Sequence, residues 1–65
     1  MQKTEEQIEI LKNQIAQIEK DIQEAEEKMK TVIKEEDKNL LIHIISTGEL
    51  ELNRLREELE YIMNR

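Results

Sequence analysis

The chain contains no cysteine, proline, phenylalanine or tryptophan, and it has one glycine, one histidine and one tyrosine. Each absence removes a class of protein. Without cysteine there is neither a disulfide framework nor a thiol nucleophile, and a lone histidine leaves a structural zinc site without its ligand set. With no proline and a single glycine, the usual punctuation of turns is missing, and little interrupts a helix. The longest apolar stretch, residues 40–45, is interrupted by His43 and falls far short of the roughly 20 residues that span a bilayer. The opening Met1-Gln2-Lys3-Thr4-Glu5-Glu6 lacks the apolar segment of a signal peptide, so a cytoplasmic location is expected.

What is present is charge and aliphatic bulk. Charged residues make up 40% of the 65, with 16 acids against 10 lysines and arginines, for a formal net charge of −6. This is the composition of a long helix or coiled coil. The negative balance disfavours direct binding to nucleic acid or to an anionic membrane, both of which call for clustered cations. A chain this short buries little surface by itself. With disulfides and metal set aside, self-association is the expected supplement.

The aliphatic residues are periodic. Ile8, Leu11, Ile15, Ile18, Ile22, Ala25, Met29 and Val32 alternate steps of three and four, which draws one narrow stripe along a helix. Thr4-Glu5-Glu6-Gln7 fits a capping box and predicts the start of that helix. Continuing the count meets Glu36 and Asn39, where a seam needs apolar residues; a second stripe then runs through Leu41, Ile45, Gly48, Leu52, Leu55, Leu59 and Ile62. The two stripes are offset by two residues, whereas a continuous coiled coil absorbs insertions of three or four, so the spacing predicts a turn.

The fold expected is therefore all-α: a single-domain antiparallel helical hairpin over residues 1–65, with helices over about 4–35 and 41–63 and a turn over about 36–40, assembling into a dimeric four-helix bundle. Facing residues whose numbers add to 77 pair six layers, with Met29 opposite Gly48 and Ala25 opposite Leu52. Small against large is what close packing asks for. Neighbouring registers remain open, as do two other arrangements. Ser46 and Glu49 fit a second capping box around Gly48, which would break the second helix. Leu11, Ile22, Ile33, Ile44 and Leu55 recur every 11 residues, as in one uninterrupted helix.

In that register Ile8, Ile10 and Leu11 overhang one end, and Leu40, Ile42 and Ile44 lie off the seam near the turn. Exposed apolar clusters imply a partner surface, either a second copy or a different protein. Catalytic chemistry finds little footing. Glu26 with Glu27 and Glu35 with Glu36 are paired carboxylates, yet a two-helix rod offers no cleft to raise a pKa. No carboxylate stands three or four residues from His43 to form a metal pair, and Asp37-x-Asn39 lacks the later residues of a calcium loop. No enzyme activity and no cofactor are expected.

An acidic rod can also imitate the charge spacing of nucleic acid, with Glu26, Glu27, Glu35 and Glu36 as its candidate face. In composition the chain resembles small acidic helical proteins of phages and mobile elements, including some anti-CRISPR and anti-repressor proteins; no motif carries the resemblance. The function expected is binding and regulation or inhibition of another protein. The alternative is a structural oligomerisation module with no inhibitory role.

Overall fold

The structure is a computed structural model in which residues 2–64 are described, with side chains from Thr4 onward. Two helices account for nearly all of it, α1 over Gln2–Met29 and α2 over Glu35–Met63, packed antiparallel along their length. Among the described residues there is no strand. Both the single uninterrupted helix and the break near Gly48 are overturned: the chain turns once, and α2 runs unbroken through Ser46, Thr47 and Gly48 with no positive φ.

The turn does not lie over 36–40. It occupies residues 30–34, so α1 ends earlier than the expected 35 and α2 begins at Glu35 rather than 41. Two local effects place it there. Thr31, Val32 and Ile33 are three consecutive β-branched residues, which lose side-chain freedom in a helix and favour extended backbone. Glu35, Glu36 and Asp37 then fill the first turn of α2, where the helix dipole favours negative charge. The charged run opens a helix instead of breaking one.

At the turn, the amides of Lys30 and Thr31 donate to the carbonyls of Glu27 and Lys28 at 3.2 Å, and the Val32 amide donates to Lys28 at 3.0 Å. Lys34 enters α2 in an extended conformation and makes no side-chain cap. At the other end of α1 the helix begins at Gln2, upstream of Thr4, so Thr4 lies inside its first turns and not at its cap.

Every residue of the two predicted stripes is buried or half-buried, and among the described residues the only others so shielded are Lys38 and Glu51. The core proper is Leu11, Ile22, Ala25, Leu52 and Leu55. The register is set by Gly48, whose missing side chain is replaced by Ile22: a Cβ at Gly48 would lie 2.8 Å from Ile22 Cγ1 and 3.1 Å from its Cδ1.

Facing residues thus have numbers adding to about 70 rather than 77. That register lines up Ile8 with Ile62, Leu11 with Leu59, Ile15 with Leu55, Ile18 with Leu52, Ala25 with Ile45 and Met29 with Leu41. The molecule's 50 Å length agrees with it. Each helix is about 42–44 Å long at 1.5 Å per residue, so the two must be staggered by several ångströms. The first turns of α2 project past the end of α1, and the stem of half-buried Lys38 lies level with Val32.

The difference between 70 and 77 is one heptad. A three-four seam slid by seven residues again meets a seam, so periodicity alone does not distinguish the two. The observed register adds a layer and brings Ile8 and Leu11 into the core, and this added burial decides it.

Gly48→Ala is expected to destabilise the hairpin by about 1 kcal/mol, because crowding against a stiff Ile outweighs the gain of about 1 kcal/mol in helix propensity. In an Ile22→Ala background the crowding disappears, and the same change at Gly48 is expected to stabilise by about 1 kcal/mol. Urea denaturation followed by circular dichroism at fixed protein concentration checks the reversal of sign.

Candidate functional site

The candidate residues divide into three groups once placed on this frame. Leu11, expected at an exposed overhang, is 6% exposed and belongs to the core, and Ile8 is half-buried in the seam. The reason is the heptad shift, which pairs the start of α1 with the end of α2. Of Ile8, Ile10 and Leu11, Ile10 alone is exposed, beside Gln7 and Gln14 of α1 and Arg54 and Glu58 of α2.

The second group is the apolar cluster near the turn, and it is exposed as expected. Leu40 is 62% accessible, Ile42 49% and Ile44 45%, and Ile33 in the turn itself reaches 89%. They do not form one patch. Leu40 and Ile44, four residues apart, share a flank of α2, while Ile42 lies on another face of the same helix.

The Leu40–Ile44 flank borders two shallow grooves between the helices. One, of about 400 Å³, is lined by Lys28, Thr31, Val32, Asp37, Leu40, Leu41 and Ile44. The next, of about 330 Å³, continues along the same side past Ile18, Ile22, His43, Thr47 and Gly48. Ile44 belongs to both, so the two make one continuous track.

The third group is the acids. Glu26, Glu27, Glu35 and Glu36 are all exposed and gather at the turn end, on the last turn of α1 and the first turn of α2. They do not form a uniform negative face. Lys28, Lys30, Lys34 and Lys38 are interleaved with them, and the Lys30 ammonium lies 3.4 Å from the Glu27 carboxylate. Exposed pairs of this kind contribute little to stability, but they dilute the local field.

Two further polar contacts frame the rod. On the side opposite the apolar track Arg56 donates to Glu19 at 2.7 Å, an ion pair between the helices, next to a groove lined by Glu49, Leu52 and Asn53. On α2, Arg54 grips Glu51 with two hydrogen bonds, its Nε at 3.1 Å, and Glu58 approaches the same guanidinium. The hydrogen bond from Arg54 holds the Glu51 carboxyl below the usual carboxylate range, against an opposing effect of burial and with a lesser contribution from the attraction of the guanidinium charge.

Leu50, Tyr61 and Met63, which lie outside the candidate set, are exposed at 74%, 69% and 58%. A signal existed for two of them. Leu50 and Tyr61 stand 11 residues apart, on the face of α2 away from the seam, and a helical projection of the second stripe puts them there.

Among the described residues, no three of His, Asp and Glu come together as a metal site, and no helix is long and apolar enough to cross a membrane. No buried side-chain polar atom among them lacks a hydrogen-bond partner. Compared with known proteins, the chain matches no family model, no curated protein and no solved structure.

Because the folded carboxyl of Glu51 is depressed, its pairing stabilises the helix above the unfolded carboxylate range, and that contribution is lost as pH falls through the folded value. Arg54→Gln is expected to move the Glu51 titration midpoint upward, since the hydrogen bond and charge that lower it are removed and the effect of burial remains. A carboxyl-carbon NMR titration of both proteins reads the shift directly.

Proposed function

We propose that this chain is a non-enzymatic, self-associating helical hairpin that regulates another protein by contact, through the apolar track beside its turn. The observation that carries the reading is the imbalance of apolar surface. Among the described residues five side chains form the buried core, while eight large apolar residues are between 45% and 89% exposed.

Area supports it as well. The chain exposes 5529 Å² at a mass of 7.8 kDa, where a compact monomer of this mass exposes about 4,400 Å². A standard protein interface covers about 800 Å² on each partner, so one such contact removes most of the excess. The radius of gyration tells the same story, at 14.9 Å against about 11 Å for a compact chain of this length. A second copy laid along the Leu40–Ile44 side supplies the four-helix arrangement, and a different protein with an apolar groove meets the same side chains.

Mimicry of nucleic acid by the acids has less support. A phosphate-like array needs unbroken negative charge, and lysines alternate with the acids at the turn end. In this reading Glu26, Glu27, Glu35 and Glu36 orient a partner and keep the rod soluble, while apolar contact supplies the affinity. A structural scaffold that only oligomerises uses the same surfaces without a second partner.

Light scattering coupled to size exclusion over a hundredfold dilution is expected to give a stable multiple of the 7.8 kDa chain mass. The double change Leu40→Glu, Ile44→Glu is expected to reduce that mass to the monomer with helicity retained. A wild-type monomer at every concentration overturns self-association. A change of Glu26, Glu27, Glu35 and Glu36 to Lys that abolishes regulation while leaving assembly intact turns the reading toward charge mimicry.

A further inference from the structure

We infer that the hairpin is a two-register device: α2 slides along α1 by one heptad, and the slide decides which end of the rod carries exposed apolar surface. This goes beyond the contact function proposed above and does not depend on the identity of any partner.

The first support is the seam itself. From Ile8 to Val32 and from Leu41 to Ile62 the apolar steps are strictly three and four, so displacing one helix by seven residues again sets apolar against apolar. Volume matching survives the move. Gly48 faces Ile22 in the observed register and Met29 in the displaced one, and Ala25 faces Ile45 or Leu52. In each case a small residue meets a large one.

The second support is that nothing polar locks the core. A buried asparagine or charge is the usual means of fixing a coiled-coil register, and no polar or charged residue is buried among the described ones. The ion pair between Arg56 and Glu19 is exposed, and its long side chains tolerate displacement.

The third support is the turn. Residues 30–34 include no glycine, asparagine or aspartate, no residue there has a positive φ, Lys34 caps α2 without a side-chain hydrogen bond, and Ile33 projects into solvent. Where the turn lies, local chemistry is limited to the β-branched run of Thr31, Val32 and Ile33 and a 3.4 Å hydrogen bond from the Thr31 hydroxyl to the Lys28 carbonyl, with none of the glycine, asparagine or aspartate chemistry of a defined turn type. Such chemistry is present a few residues on, at Asp37 and Asn39, where the displaced register folds the chain back. Residues 30–36 then extend α1: Lys30, Lys34, Glu35 and Glu36 are good helix formers, while the β-branched Thr31, Val32 and Ile33 oppose the extension and make the displaced register the less populated one.

The consequence is a transfer of apolar surface along the rod by about 10 Å, seven residues at 1.5 Å each. In the displaced register Val32 enters the seam opposite Ile45, the groove that Lys28, Thr31 and Val32 form with Leu40 and Ile44 is rebuilt, and Ile8 and Leu11 are released at the far end. A ligand that grips released Ile8 and Leu11 favours the displaced register; one seated on the Leu40–Ile44 track favours the observed one. The two ends are thereby coupled, and the coupling is reciprocal.

The absence of native cysteine allows a direct test on the full chain. Ile18→Cys with Leu52→Cys brings two thiols together only in the observed register, and Ile18→Cys with Leu59→Cys only in the displaced one. Closure within a single chain is measured in a glutathione buffer at high dilution, for each pair with and without Glu36→Leu. Glu36 is exposed in the observed register and faces Leu41 in the displaced one, so a leucine there adds an apolar layer to the displaced register alone.

The expected result is preferential closure of the first pair in the parent chain, and a rise of roughly tenfold or more in the ratio of second-pair to first-pair closure when Glu36 becomes leucine. An unchanged ratio, with helicity retained by circular dichroism, overturns the proposal. If Glu36→Leu lowers helicity, Leu11→Ser, which penalises the observed register instead, is measured in its place. An unchanged ratio there overturns it equally.

Discussion

The contact between Ile22 and Gly48 governs this structure. Two helices can pack over their whole length only if bulky layers are matched by small ones, and here a branched side chain occupies the space that any other residue at position 48 would fill. The layers on either side follow at the helical repeat, which is why Ala25, Leu52 and Leu55 are the most enclosed positions nearby. A single glycine in a chain otherwise built for helix is a cost in propensity, and the close approach it permits is the compensation.

Much of the fold was legible, and the reason is the narrowness of the pattern. A stripe with strict three-four steps means helix, so the helix type and the identity of every seam residue followed from spacing, while the two-helix count was favoured by the offset between the stripes over an uninterrupted helix and over a break at Gly48. What periodicity could not provide was its own zero point. The shift from Met29 to Ile22 as the partner of Gly48 is a translation under which the pattern is invariant, and only the added layer at Ile8 and Leu11 breaks the tie. The turn was misplaced for a different reason. The charged residues 34–39 look like solvated loop by composition, yet acids at a helix entrance are stabilising, while the three β-branched residues before them carry the true signal.

The surface was legible only in part. Leu40, Ile42 and Ile44 were identifiable as off-seam apolar residues, and they are exposed. Their division between two faces, with Leu40 and Ile44 on the grooved side, depends on helix phase relative to α1, a quantity that single-helix periodicity does not contain. Leu11 moved from surface to core because of the heptad shift, which leaves helix phase unchanged and pairs the start of α1 with the end of α2. The acids at the turn end show why residue counts mislead about fields: a formal charge of −6 is real, but at that end lysines and glutamates alternate.

The antiparallel arrangement also sets the mechanics of the rod. Gln2 and Asn64 lie at one end, and the turn at residues 30–34 is close to 50 Å away at the other. Anything tethered through either terminal region therefore shares a single anchorage, with the turn held out as the tip of a lever. Torque applied at the tip is borne by the helix pair as a beam, whose resistance to bending within one register comes from interlocked layers that let α1 and α2 shift past one another only by a whole heptad. The same interdigitation that excludes water from the seam is thus what gives the projecting end its stiffness.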